Sequence, residues 1–219
     1  DHMSDKKKSV LSFDWAKNLN YKEIWQDIKE AIAGTERDFT ETSLGQAIFI
    51  LAVPMVLETI MESVFAVADI FFVSKLGPDA VATVGITESV MTIVYAIGMG
   101  LSMATTALIS RRIGEKKKKE AGVIAFQAIL LGAIISVCIA VPGVIFAREF
   151  LLIMGATEKM ANEGYLYPVV MFGSNAVIML LFIINAVFRS SGDAAISMRV
   201  LWAANIINII LDPLFIFGI

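Results

Sequence analysis

The chain has 219 residues, of which 57% are hydrophobic and only 18% charged, with a formal net charge of −3. Its mean hydropathy is +0.74, and its charge is gathered into a few short stretches, which excludes an ordinary soluble domain and points to an integral membrane protein. A net charge this small singles out no class of partner.

Residues 1–42 form an amino-terminal arm unlike the rest. Asp1-His2-Met3 resembles an expression-vector remnant, and no removed secretory signal is expected, because the charged region, apolar core and cleavage pattern are missing. Asn20 precedes Glu23 in capping-box spacing, and Tyr21, Ile24, Trp25, Ile28 and Ile32 recur at helical intervals up to Gly34. This predicts an amphipathic helix, with Trp15 and Trp25 nearby, lying along the membrane surface; docking on the rest of the chain is the alternative.

Five apolar spans follow, at about 46–74, 85–110, 121–147, 165–188 and 200–219, each near or above the length needed to cross a bilayer. No strand alternation occurs, so the predicted fold is all-α, a polytopic membrane helix bundle.

The first span carries Glu58, Glu62 and Asp69 and is interrupted by Pro54. At roughly 100° per residue the three acids fall within about 40° of one another. Each buried acid costs roughly 2.5–3.5 kcal/mol to insert, so this stripe must face protein or a water-filled cavity. Pro54 removes a backbone hydrogen bond and permits a bend, which makes it a candidate hinge.

In the second span, Glu88 shares a face with Met91, Thr92, Tyr95 and Met99. Methionine and aromatic groups beside a carboxylate suit a chamber for flat organic cations, although ordinary core packing reads equally well. Glu58, Glu62, Glu88, Met91 and Tyr95 are therefore the candidate chamber residues. Gly98-Met99-Gly100 reads as close helix packing, since a phosphate loop would need a preceding strand. Cys138, the single cysteine, stands in the apolar third span and reads as a packing residue.

Six basic residues, Arg111, Arg112 and Lys116 to Lys119, fill the connection after the second span, and Arg189 and Arg199 flank the fourth connection. This places those loops and the amino terminus in the cytoplasm, and it explains the lysine run without a nucleic-acid partner. The fifth span offers Asn205, Asn208 and Asp212, the last two one turn apart. Hard oxygen ligands of this kind suit an alkali cation or a protonated acid, and they equally suit a helix-packing contact. The five acids within the spans meet no lysine or arginine away from the span ends, leaving protonation, a bound cation or a hydrated cavity to satisfy them.

Pro54, Asp69-Ile-Phe-Phe-Val-Ser-Lys-Leu-Gly77, Ala82-Thr-Val-Gly85 and Gly98-Met-Gly100, then Phe188-Arg189-Ser-Ser-Gly192-Asp193 and Asn208-Ile-Ile-Leu-Asp212-Pro213, together resemble the multidrug and toxic compound extrusion transporters. The resemblance covers residues 43–219 and implies five helices of a six-helix amino-terminal lobe, with a second lobe missing. It implies a multi-pass protein of the cell inner membrane, partnered by lipid and small organic cations and exchanging H+ or Na+ for cargo without another cofactor. It further implies a proton or Na+ site at Asp69, Asn208 and Asp212, and bending at Pro54. Glu58, Glu62 and Glu88 depart from the family pattern. A related lipid-linked precursor flippase, a non-transporting membrane scaffold and an intramembrane protease using Asp69 and Asp212 are the alternatives. A flippase should show basic groups in its chamber, and the protease reading lacks a glycine-rich context around its acids.

Overall fold

The structure, a computed structural model, describes residues 21–34 and 44–218; Trp15 and Asn20 of the arm lie outside them. Every regular element among the described residues is helical. The elements are α1 (Tyr21–Ala33), α2 (Leu44–Val73), α3 (Pro78–Gly114), α4 (Lys118–Ile145), α5 (Ala147–Ile153), α6 (Glu158–Gly164), α7 (Leu166–Gly173), α8 (Asn175–Ser190) and α9 (Ala194–Phe217), with a 3-10 turn at Ser74–Leu76. Five stretches are long and apolar enough to cross a membrane: Leu44–Leu76, Pro78–Gly114, Lys118–Ile145, Leu166–Ser190 and Ala194–Phe217.

The spans run longer than their apolar cores because good start and stop signals lie in the flanking polar sequence. Gly77 takes φ 103° and Pro78 opens α3 at its first turn, so the helix begins seven residues before the expected 85. At α9, the Asp193 side chain accepts the Ile196 N–H at 3.3 Å, and Gly218 closes the helix with φ 69°. The expected third connection is itself largely helical, folding into α5 and α6, with Thr157 accepting the Met160 N–H at 3.2 Å.

The fourth span is broken between α7 and α8. Ser174 donates its hydroxyl to the Val170 carbonyl at 2.7 Å. The fully buried Asn175 donates to the carbonyls of Phe172 and Ser136. Side-chain donors thus add hydrogen bonds to backbone acceptors around the break, in a low-dielectric interior.

Two groups of helices pack together. In one, α8 lies against α3 and α4 around Met91, Val94, Phe172 and Met179, with Phe150 meeting Phe172 edge-on at 5.7 Å. In the other, α2 packs along α9 and touches α3 only lightly, although a short turn joins them. Glycine allows close approach in the first group: a Cβ at Gly143 would lie 2.6 Å from Phe172 Cβ, and one at Gly132 would lie 2.4 Å from Ile183 Cδ1.

The arm helix α1 docks on α2 and α9. Its buried Asp27 accepts hydrogen bonds from Gln46 at 3.1 and 3.2 Å. Arg199 of α9 donates to the last carbonyls of α1, on Ile32 at 2.9 Å and on Ala33. Outward, Trp25 is exposed, with the Lys29 ammonium 5.8 Å above its ring.

Two measurements test this packing. Gly143→Ala should destabilise the fold by about 1–3 kcal/mol through overpacking against Phe172, whereas Gly122→Ala, which meets nothing within 4 Å, should cost nothing; thermal unfolding in detergent reads both. In the α3–α4 connection, hydrogen bonds from Arg112 and Arg111 hold the Glu115 carboxyl at about 2, below its ordinary 4.5. A folded-state value below the unfolded one means the pairing is complete above pH 4.5 and lost only as pH falls through about 2. NMR titration of this carboxyl should give that low midpoint, and Arg112→Gln should move it upward.

Candidate functional site

The acidic stripe of α2 meets two different environments. Toward its carboxyl end, Asp69 lies half-buried and within electrostatic reach of Asp212 on α9 and Glu88 on α3. Glu88 Oε2 accepts the Tyr95 hydroxyl at 3.2 Å, and the Tyr167 hydroxyl of α7 also reaches the Glu88 carboxylate. Asp212 Oδ2 is buried without a hydrogen-bond partner. Among the described residues no lysine or arginine pairs with any of these three acids. Four spans therefore deliver three carboxylates and two phenols to one neighbourhood that, among the described residues, has no built-in cation.

Such a set suits positive charge. Its oxygens are the donors a proton or alkali cation would take. The same described residues bring no three His, Cys, Asp or Glu side chains close enough to hold a metal ion. Of the expected Na+ ligands, Asp69 and Asp212 face each other electrostatically, whereas Asn208 is exposed. Buried Asn205, two turns before Asp212, leaves its Nδ2 without an acceptor.

Two expectations are corrected. Glu58 is not left to a cavity: it is 6% exposed, and Arg189, from the last turn of α8, donates to its Oε2 at 3.3 Å. A long side chain at a helix end can fold back into the span, so counting charges only in the span interiors missed this partner. Met91 does not line a chamber, because it is wholly buried in the core with Val94, Phe172 and Met179. Pro54, the candidate hinge, is fully buried beside Gly34, Asp193 and Ala195, where α1 and the start of α9 meet α2, and α2 remains one helix through it. Glu62, by contrast, is exposed one turn beyond Glu58.

Sequence reasoning also missed Tyr167. A tyrosine beside Pro168 at the head of an apolar span was the available signal, since a phenol there needs a polar partner.

The sequence pattern of the MatE family matches residues 54–214. A Shewanella oneidensis protein named FAD transporter is 30% identical over 176 residues, which are 80% of this chain and 39% of that protein. Multidrug export protein MepA of Staphylococcus saprophyticus is 25% identical over 181 residues, covering 82% and 40% respectively. Among solved structures, the outward-facing conformation of a multidrug resistance MATE family transporter superposes with TM-score 0.74 at 26% identity, over 88% of this chain and 41% of that one. A MOP superfamily transporter from Pyrococcus furiosus, described as having a binding pocket of reversed polarity, gives the same values. The chain spans about 40% of the length of these relatives.

The Glu58–Arg189 pair yields a stability prediction. Arg189→Gln leaves the buried Glu58 carboxyl without its partner and should cost about 1–3 kcal/mol. Adding Glu58→Gln should recover most of that loss, and a double-mutant cycle of thermal unfolding reads the coupling.

Proposed function

The chain belongs to the MatE family of transporters, and from that premise we propose that it forms part of the first lobe of a cation-coupled exporter of organic cations. The observation that carries the reading is the convergence of Asp69, Glu88 and Asp212 from three spans with no basic partner. A proton or Na+ held at Asp69 and Asp212, with Asn208 one turn away, offsets charge that cargo would otherwise neutralise. Coupling then requires each positive species to weaken the binding of the other.

Neutralising Asp69 changes what α2 can stand against, and Pro54 supplies the point at which that helix bends. The amino terminus and the basic α3–α4 connection lie in the cytoplasm and the spans cross the cell inner membrane, by the distribution of lysine and arginine. The second lobe completes the cargo chamber.

A second reading is export of a flavin dinucleotide, favoured by the 30% identity to the Shewanella protein. Its pyrophosphate is anionic and asks for basic groups, whereas this lobe presents acids, so the cationic reading fits the residues better. A lipid-linked precursor flippase meets the same objection.

The test uses the full-length protein in vesicles, with proton and Na+ gradients imposed separately. Tetraphenylphosphonium efflux should follow one gradient, and Asp69→Asn should lower it by about tenfold or more while leaving insertion intact. Unchanged efflux in that variant would remove Asp69 from coupling, and transport of flavin dinucleotide in place of the cation would replace the reading.

A further inference from the structure

Glu58 shares the stripe of α2 with Asp69 but stands eleven residues before it, about 16 Å away along a helix rising 1.5 Å per residue. A ligand on one does not touch the other. Three observations concern the Glu58 end.

Only one oxygen of its buried carboxylate is met. Oε2 accepts from Arg189 Nη1 at 3.3 Å, while Oε1 is buried with no hydrogen-bond partner. Charge-assisted bonds usually run about 2.7–2.9 Å, and a guanidinium fork normally grips both oxygens. Glu62, exposed one turn on, lies within electrostatic reach of the same guanidinium. Trp202 of α9 donates its indole N–H to the Leu57 carbonyl at 3.2 Å, which fixes an aromatic ring beside this turn of α2.

We propose that Glu58, with Glu62, is a second cation-binding position, in which the Arg189 guanidinium stands where a ligand bearing N–H donors (an amidinium, a guanidinium or a protonated amine) would bind. The proposal deepens the export reading and rests on it for its place in transport. The unmet Oε1 calls for a donor, which an ammonium or amidinium has and a quaternary or phosphonium cation lacks. Arg189 is a displaceable occupant: it sits in the last turn of α8 next to the Ser190–Asp193 connection, and its side chain is already 20% exposed. Once displaced, it can extend toward solvent on its flexible stem. Ligand binding would therefore sever the ionic tie between α2 and α8, linking occupancy of this position to freedom of the helix that carries Asp69.

The experiment measures equilibrium binding of benzamidinium, with tetraphenylphosphonium as a cation lacking donors, to the full-length protein in lipid nanodiscs. Glu58→Gln should weaken benzamidinium binding by about tenfold, and Arg189→Gln, which removes the competitor, should strengthen it by a similar factor. In Glu58→Gln/Arg189→Gln the gain should vanish, and tetraphenylphosphonium affinity should stay within twofold throughout. Should Arg189→Gln fail to fold, Arg189→Lys keeps the charge but loses the fork and should give a smaller gain in the same direction. Benzamidinium affinity unchanged by the Arg189 substitutions, a gain that survives in the double variant, or no benzamidinium binding by any variant would overturn the proposal. Loss of all cation efflux with the Arg189-dependent binding intact would overturn the export reading and leave this position standing.

Discussion

A carboxylate set into an apolar span has to be met by something polar, and most of what distinguishes this chain follows from how that demand is answered. The same face of α2 answers it twice. At Glu58 the answer is internal, because the Arg189 guanidinium folds back from the end of α8. At Asp69 it is a gathering of like groups, Glu88 and Asp212, softened by the phenols of Tyr95 and Tyr167. One end of the stripe thus carries a cation from a neighbouring helix, and the other, among the described residues, does not.

The division of packing between the helices supports this contrast. Helices α3, α4 and α8 interlock through glycines pressed against Phe172, Phe182 and Ile183, leaving little room for relative movement. Helix α2 has no such lock on α3, and much of its large apolar surface is exposed, including Ile60, Val64, Val67 and Phe71. The acid-bearing helix is thus held mainly by α9 and the arm helix α1, with little contact to α3.

Much of this was legible in the sequence. Five long apolar runs separated by turn chemistry require five spans, and the acids Asp69, Glu88 and Asp212 stood out, with Glu58 and Glu62, as the charged groups inside those runs. Span boundaries were less legible, since propensity and caps extend α3 and α9 well into polar sequence and turn the third connection into α5 and α6. Interhelical partners were not legible at all. Whether Arg189 points to solvent or back toward Glu58, and whether Met91 faces a chamber or Phe172, depends on helix rotation and on which helices are neighbours, which hydropathy does not encode. Tyr167 joins Glu88 across the fold for the same reason.

The surroundings of Pro54 carry the physical consequences furthest. A proline in a helix leaves one carbonyl without its donor and makes bending cheap, but here the ring is enclosed by Gly34, Asp193 and Ala195. Gly34 holds φ 68°, and a Cβ there would come within 3.0 Å of Ala195 Cβ and of the Asp193 carboxylate that caps α9. Arg199 simultaneously binds the final carbonyls of α1, and Asp27 binds Gln46 at the start of α2. A bend at Pro54 cannot therefore be confined to α2, because the ring moves against the end of α1 and the first turn of α9, both tied to it by directional hydrogen bonds. The same α9 carries Asp212 toward its far end. Asp69 and Asp212 thus sit on the same two helices that meet around Pro54.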